Sequence, residues 1–71
     1  MKLYKHIYNS SLDEKITLIA RLRKDICGRF FFETSENGKE FELNVNMPMF
    51  LTEDEAYKWL EQRADWKEIR A

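Results

Sequence analysis

The dipeptide Asn37-Gly38 constrains this chain more than any other feature of its sequence. Both residues tolerate positive φ, which a two-residue type I′ hairpin turn requires at its two central positions. Counting outward pairs Thr34 with Phe41, Phe32 with Leu43 and Phe30 with Val45 on one face. The other face receives Glu33 with Glu42, Phe31 with Asn44 and Arg29 with Asn46. A slip of one residue would turn every side chain to the opposite face, so turn and pattern together set the expected register. The Glu33–Glu42 pair in that register is a like-charge neighbour and mildly unfavourable.

Upstream, Ile16, Leu18, Ala20 and Leu22 alternate with Thr17, Ile19, Arg21 and Arg23, a strand pattern. The competing reading is a helix over residues 11–24, because Ser11 and Glu14 have capping-box spacing and Leu12, Ile16, Ile19 and Arg23 have helical spacing. The strand is favoured, since the alternation is unbroken and Gly28 suits a following turn. Placing Leu22 opposite Phe30 then puts Ala20 opposite Phe32, Arg21 opposite Phe31, Arg23 opposite Arg29 and Ile19 opposite Glu33. Residues 2–8 alternate as well and form another strand, whose place in the sheet the pattern does not give. In the C-terminal third the period changes. Thr52-Glu53-Asp54-Glu55 is a helix start, with Thr52 as cap and the acids at the positive end of the dipole. Ala56, Trp59, Leu60 and Arg63 make one stripe, with Tyr57 at its edge. Residues 65–69 read as a final strand or a packed tail. The expected architecture is α+β: a small antiparallel sheet of about four strands with a C-terminal helix on one face, β-β-β-β-α, as one domain over residues 1–71.

Composition narrows the function classes. The single cysteine and single histidine leave no internal disulfide and no Cys/His zinc set. A chain of 71 residues buries little surface, so ten aromatic residues or a homodimer must supply stability that other small domains draw from disulfides or metals. Twelve basic against thirteen acidic residues do not fit a strongly basic nucleic-acid coat. No apolar run approaches the roughly 20 residues of a membrane helix, and no apolar segment of signal type follows Met1-Lys2-Leu3-Tyr4-Lys5. The expected location is the cytoplasm, without a membrane partner.

Chemistry has few candidates. Cys27 and His6 fall in a turn and a strand with nothing to join them as nucleophile and base. Glu33 and Glu42 face each other in the expected register, but on a solvated sheet face unsuited to shifted carboxylate pKa values. The run Glu53-Asp54-Glu55 is explained by helix capping, and the two glycines lie in separate turns rather than in a phosphate loop. No enzymatic activity, cofactor, metal or small-molecule substrate is expected.

The remaining feature is the open sheet face, since one helix covers only one side. It runs from Arg21, Arg23 and Arg29 through Phe31 to Glu33 and Glu42. Three readings suit it: an ordinary solvated face with an Arg21–Phe31 cation–π contact, a protein-binding or dimer face, and a platform on which Phe31, Tyr4 and Tyr8 stack nucleic-acid bases. The chain also resembles the small phage-encoded anti-CRISPR proteins built as an antiparallel meander with one helix. The resemblance lies in Met1-Lys2-Leu3-Tyr4-Lys5-His6-Ile7, in Asn37-Gly38-Lys39 and in Phe50-Leu51-Thr52-Glu53 leading to Trp59-Leu60. It implies a non-enzymatic inhibitor that occludes a surface of a bacterial nucleoprotein defence complex. The expected function is therefore stoichiometric protein binding through Arg21, Arg23, Arg29, Phe31, Glu33 and Glu42, with a small nucleic-acid-binding domain as the alternative.

Overall fold

A computed structural model describes residues 2–69. The elements are β1 (Leu3–Asn9), β2 (Lys15–Lys24), β3 (Phe30–Glu36), β4 (Glu42–Leu43), α1 (Glu53–Glu61) and β5 (Lys67–Ile69). The fold is α+β, with five antiparallel strands where the periodicity suggests about four. The order β4-β3-β2-β1-β5 makes the first four strands a simple meander, and β5 returns after the helix to the free side of β1. Residues 15–24 are strand, not helix. The Ser11–Glu14 spacing belongs to a turn, in which the Ser10 hydroxyl accepts from the amides of Leu12 and Glu14 at 3.2 and 3.3 Å. Asp13 takes a φ of 61° there, as short polar side chains tolerate.

The two hairpins of the meander depart from the expected registers in different ways. Between β2 and β3, Leu22 pairs with Phe32, Ala20 with Thr34, Arg21 with Glu33 and Arg23 with Phe31. This is a two-residue shift, and it preserves which face each side chain takes. Its cause is the turn. The Asp25 carboxylate accepts from the amides of Cys27 and Arg29 at 2.9 and 2.8 Å, Asp25 pairs with Arg29, and Gly28 takes the positive φ of 86°. A turn centred one residue earlier would place that left-handed requirement on Cys27 instead of glycine.

Between β3 and β4 the shift is one residue, and it reverses the faces. Asn37 and Gly38 do form the positive-φ turn, at 51° and 81°, closed by the Lys39 amide on the Glu36 carbonyl at 3.0 Å. Beyond the turn, Glu33 pairs with Leu43 and Thr34 with Glu42, so an extra residue is inserted on the return side as a bulge. The buried Ser35 hydroxyl donates to the Lys39 carbonyl and satisfies backbone that the bulge removes from the ladder. Phe41, Leu43 and Val45 thus lose their expected inward places, and Glu33 does not face Glu42. The bulged register puts Leu43 in place of Glu42 opposite Glu33, and the shifted β2–β3 register sets Arg21 on its other side, 2.8 Å from the carboxylate.

Phe50 takes the vacated core position. It bridges Phe30 through two backbone hydrogen bonds of 2.8 Å, and its ring meets Phe32 edge-on at 6.0 Å and Trp59 at 5.7 Å. Phe50 lies two residues before Thr52, whose hydroxyl caps α1 by accepting from the Glu55 amide at 3.1 Å. One short segment therefore closes the sheet edge and starts the helix. The core consists of Tyr4, Ala20, Leu22, Phe32, Phe50, Ala56, Tyr57 and Leu60. Trp59 lies against it rather than within it, and Tyr57, read as the edge of the helical stripe, is buried against Tyr4 and Phe32. The Tyr4 hydroxyl donates to Glu61 at 2.6 Å, tying β1 to the last turn of α1. Burial, then that hydrogen bond and the Glu61 charge, push the Tyr4 phenol far above the ordinary tyrosine range. Burial, then the Glu53 charge, raises Tyr57 as well.

Candidate binding face

The face turned away from α1 is built from the odd-numbered residues of the strands, because directly paired residues share a side of the sheet. One row across it is Ile69, Leu3, Arg21, Glu33 and Leu43; the next is Lys67, Lys5, Ile19 and Ser35. Lys15, Thr17, Arg23 and Phe31 belong to the same side. Five basic residues lie on this face, Lys5, Lys15, Arg21, Arg23 and Lys67, against one acid, Glu33: a formal +4. The whole chain carries −1, so the remainder carries −5. That remainder includes the turns as well as the helix side, where Lys2, Lys24, Lys58 and Arg63 lie among the acids. The acids outside the outer face include Glu53, Asp54 and Glu55 in the first turn of α1. They also include Glu36, Glu40 and Glu42, which with Lys39 line a hollow of about 480 Å³ at the β3–β4 end.

Within the outer face, Glu33 is the organising acid. One of its carboxylate oxygens accepts from Arg21 Nε at 2.8 Å and lies 3.9 Å from Arg23 Nη1. The Arg21 guanidinium also covers the Phe41 ring at 4.0 Å, making the cation–π contact that the sequence assigns to Phe31. Arg21 is committed to the fold on two counts. Arg23 is half exposed and shares the same carboxylate at a longer distance. Among the described residues no acid lies within ion-pair distance of Lys5, Lys15 or Lys67, and Lys5 and Lys67 sit directly opposite each other. Like charges placed across a strand pair oppose folding.

Beside these cations the β4 edge is apolar. After β4 the chain leaves the sheet at Asn44, whose side chain accepts from the Asn46 amide at 2.9 Å, and rejoins it at Phe50. Leu43 (57%), Val45 (83%) and Met49 (50%) remain exposed along this excursion. With Asp25, Phe31, Asn44 and Met47 they line a groove of about 430 Å³.

Of the six residues singled out from sequence, Arg21, Arg23, Phe31 and Glu33 share the outer face. Arg29 precedes β3 in the turn, exposed, with its backbone held by Asp25. Glu42 pairs with Thr34 and so belongs to the helix side, which removes it from the cluster. Tyr4 and Tyr8 also lie on the helix side, Tyr4 in the core, and neither joins Phe31 as a stacking surface. Sequence reasoning missed Lys5, Lys15 and Lys67; the odd positions of the first strand already mark Lys5, but its value appears only once β1 is placed beside β2. Leu43 and Val45 were missed because the bulge is invisible in the pattern. His6 stacks between Tyr8 and Trp66 near Asp65, while Cys27 lies exposed in the β2–β3 turn, so no nucleophile–base pair assembles. No helix among the described residues is long and apolar enough to cross a membrane. The sequence matches no known protein family, and no characterised protein or solved structure is significantly similar to it.

Proposed function

We propose that this protein is a non-enzymatic binding module that presents the outer sheet face to a protein partner. One observation carries the reading: a formal +4 face beside an exposed aliphatic groove, maintained although the Lys5–Lys67 pair works against folding. Such an arrangement suits recognition, where the charge steers encounter and an apolar patch supplies affinity on contact. Given the resemblance in Met1–Ile7, Asn37–Lys39 and Phe50–Leu60, the module is a phage-borne inhibitor in this proposal, and the partner is a surface of a CRISPR-Cas or similar bacterial defence complex. A nucleic-acid partner is the second reading, favoured by the same cations. It is weakened by the lack of an aromatic platform, since Arg21 covers Phe41 and the tyrosines face the helix.

The test begins with a photo-crosslinking residue at position 43, which identifies what touches the face in cells; the purified partner is then titrated by calorimetry. Lys5→Glu combined with Arg23→Glu is expected to weaken binding by at least about tenfold, equivalent to about 1.4 kcal/mol, while Lys58→Glu on α1 leaves it unchanged. Arg21 is spared because its loss would strand Glu33 and uncover Phe41. Equal affinity of the double variant and the wild type would overturn the proposal.

A further inference from the structure

The geometry points to a specific chemistry for the occupant of this face: we infer that it is an acidic, aliphatic-bearing segment of another protein, which seats apolar side chains between Phe31, Leu43, Val45 and Met49 and directs carboxylates at Arg23 and Lys5. This inference rests on the binding role proposed above and specifies the partner's surface. Three observations on the same face support it. The first is charge complementarity: among the described residues Lys5, Lys15 and Lys67 have no acid within ion-pair distance, and Arg23 shares the single Glu33 carboxylate with Arg21. An anionic partner would complete these pairs, and a cationic one would be repelled. The second is the chemistry of the groove. Leucine, valine and methionine make an adaptable aliphatic surface suited to other aliphatic side chains, whereas bases need planar aromatic faces to stack on. Phe31, the aromatic ring in the groove, is itself half-buried. The third is placement. The groove lies at the β4 edge; Arg23 pairs with Phe31 one strand inward, and Asp25, the acid in the groove lining, has its carboxylate taken up by the Cys27 and Arg29 amides. An apolar centre with a charged rim on one side is the ordinary anatomy of a protein interface.

The isotopically labelled protein is titrated, with amide shifts as readout, against three probes: a short synthetic peptide alternating Glu and Leu, the same peptide with Lys for Glu, and single-stranded oligothymidine. The Glu-Leu peptide is expected to bind saturably, moving amides of Arg23, Phe31 and residues 43–49 and leaving residues 53–61 in place. Its affinity should drop on going from low salt to about 0.15 M, where surface charges are screened beyond about 8 Å. Val45→Asp, at a side chain exposed enough not to affect folding, should weaken it about tenfold, as should Arg23→Glu. Equal or tighter binding of the Lys-Leu peptide on the same amides would overturn the acidic assignment while leaving the face a protein-binding one. Tighter binding of oligothymidine would overturn both in favour of nucleic acid. Shifts confined to α1, or none with any probe, would remove the outer face from consideration altogether.

Discussion

The two hairpins of the meander share β3 yet differ in how far their sequences specify them. In β2–β3 the register differs by two residues from the one the alternation suggests, and every side chain still faces the expected way. In β3–β4 it differs by one: Leu43 and Val45 turn from core to surface, and Phe41 is left half-buried under Arg21. Because the side-chain period of a strand is two, an even error is silent for burial and an odd error inverts it. The first turn is governed by Asp25 and Gly28, which move the centre without inserting a residue on one side only. The second has the turn that Asn37-Gly38 demands, followed by a bulge that no residue type announces. That bulge transfers Leu43 from the folding face to the outer face.

The largest expected effects test this inversion directly. Phe32→Ala and Phe50→Ala should each cost about 3–5 kcal/mol in denaturant unfolding, as large core aromatics do, which is a substantial share of the ~5–15 kcal/mol a small domain has. If Phe50→Ala were nearly neutral while Leu43→Ala were severe, the unbulged register would be correct. Next come the turn glycines. Gly38→Val places a β-branched residue at a φ of 81°, and Gly28→Val one at 86°, so each should lose about 1–2 kcal/mol in the same assay. An added Cβ at Gly38 meets nothing within 4 Å, so that loss would reflect backbone conformation alone.

The covered face should also announce itself in alkali. Tyr4 and Tyr57 hold their protons more tightly folded than unfolded, so the stability this contributes is complete below about pH 10 and is lost as pH rises beyond it. Tyr4→Phe should make that alkaline decline shallower and cost about 1 kcal/mol at neutral pH through its lost hydrogen bond to Glu61. An alkaline unfolding curve unchanged by the substitution would place Tyr4 outside the core. The smallest effect belongs to the outer side, where Leu43→Ala should change stability by under about 0.5 kcal/mol, as exposed substitutions do.

What the sequence reveals follows the range of the interactions involved. The Thr52 cap, the Asn37-Gly38 turn and the alternation of β2 are local, and each is legible. The inward facing of Ala20, Leu22, Phe30 and Phe32 follows from parity alone. The position of β1, the pairing of β5 with it and the bridge from Phe30 to Phe50 depend on contacts distant in sequence, with no periodic signature. The candidate site divides in the same way. Arg21, Arg23, Phe31 and Glu33 were placed on one face by alternation, but their mutual pairing was not: the expected separation of arginines from glutamates along that face gives way to Glu33 lying between two arginines. The positive excess of the outer face becomes visible only when β1 and β5 contribute Lys5 and Lys67.

The claim on which both the fold and the proposed binding face depend is the direction of Leu43. Nuclear Overhauser contacts from its methyl groups test it directly. They should reach Phe31, Val45 and the side chain of Glu33 on the outer face, and none should reach Tyr57 or Leu60. Strong contacts from the Leu43 methyls to the Phe32 ring and to Leu60 would contradict the account, restoring Leu43 to the core and closing the apolar half of the proposed interface.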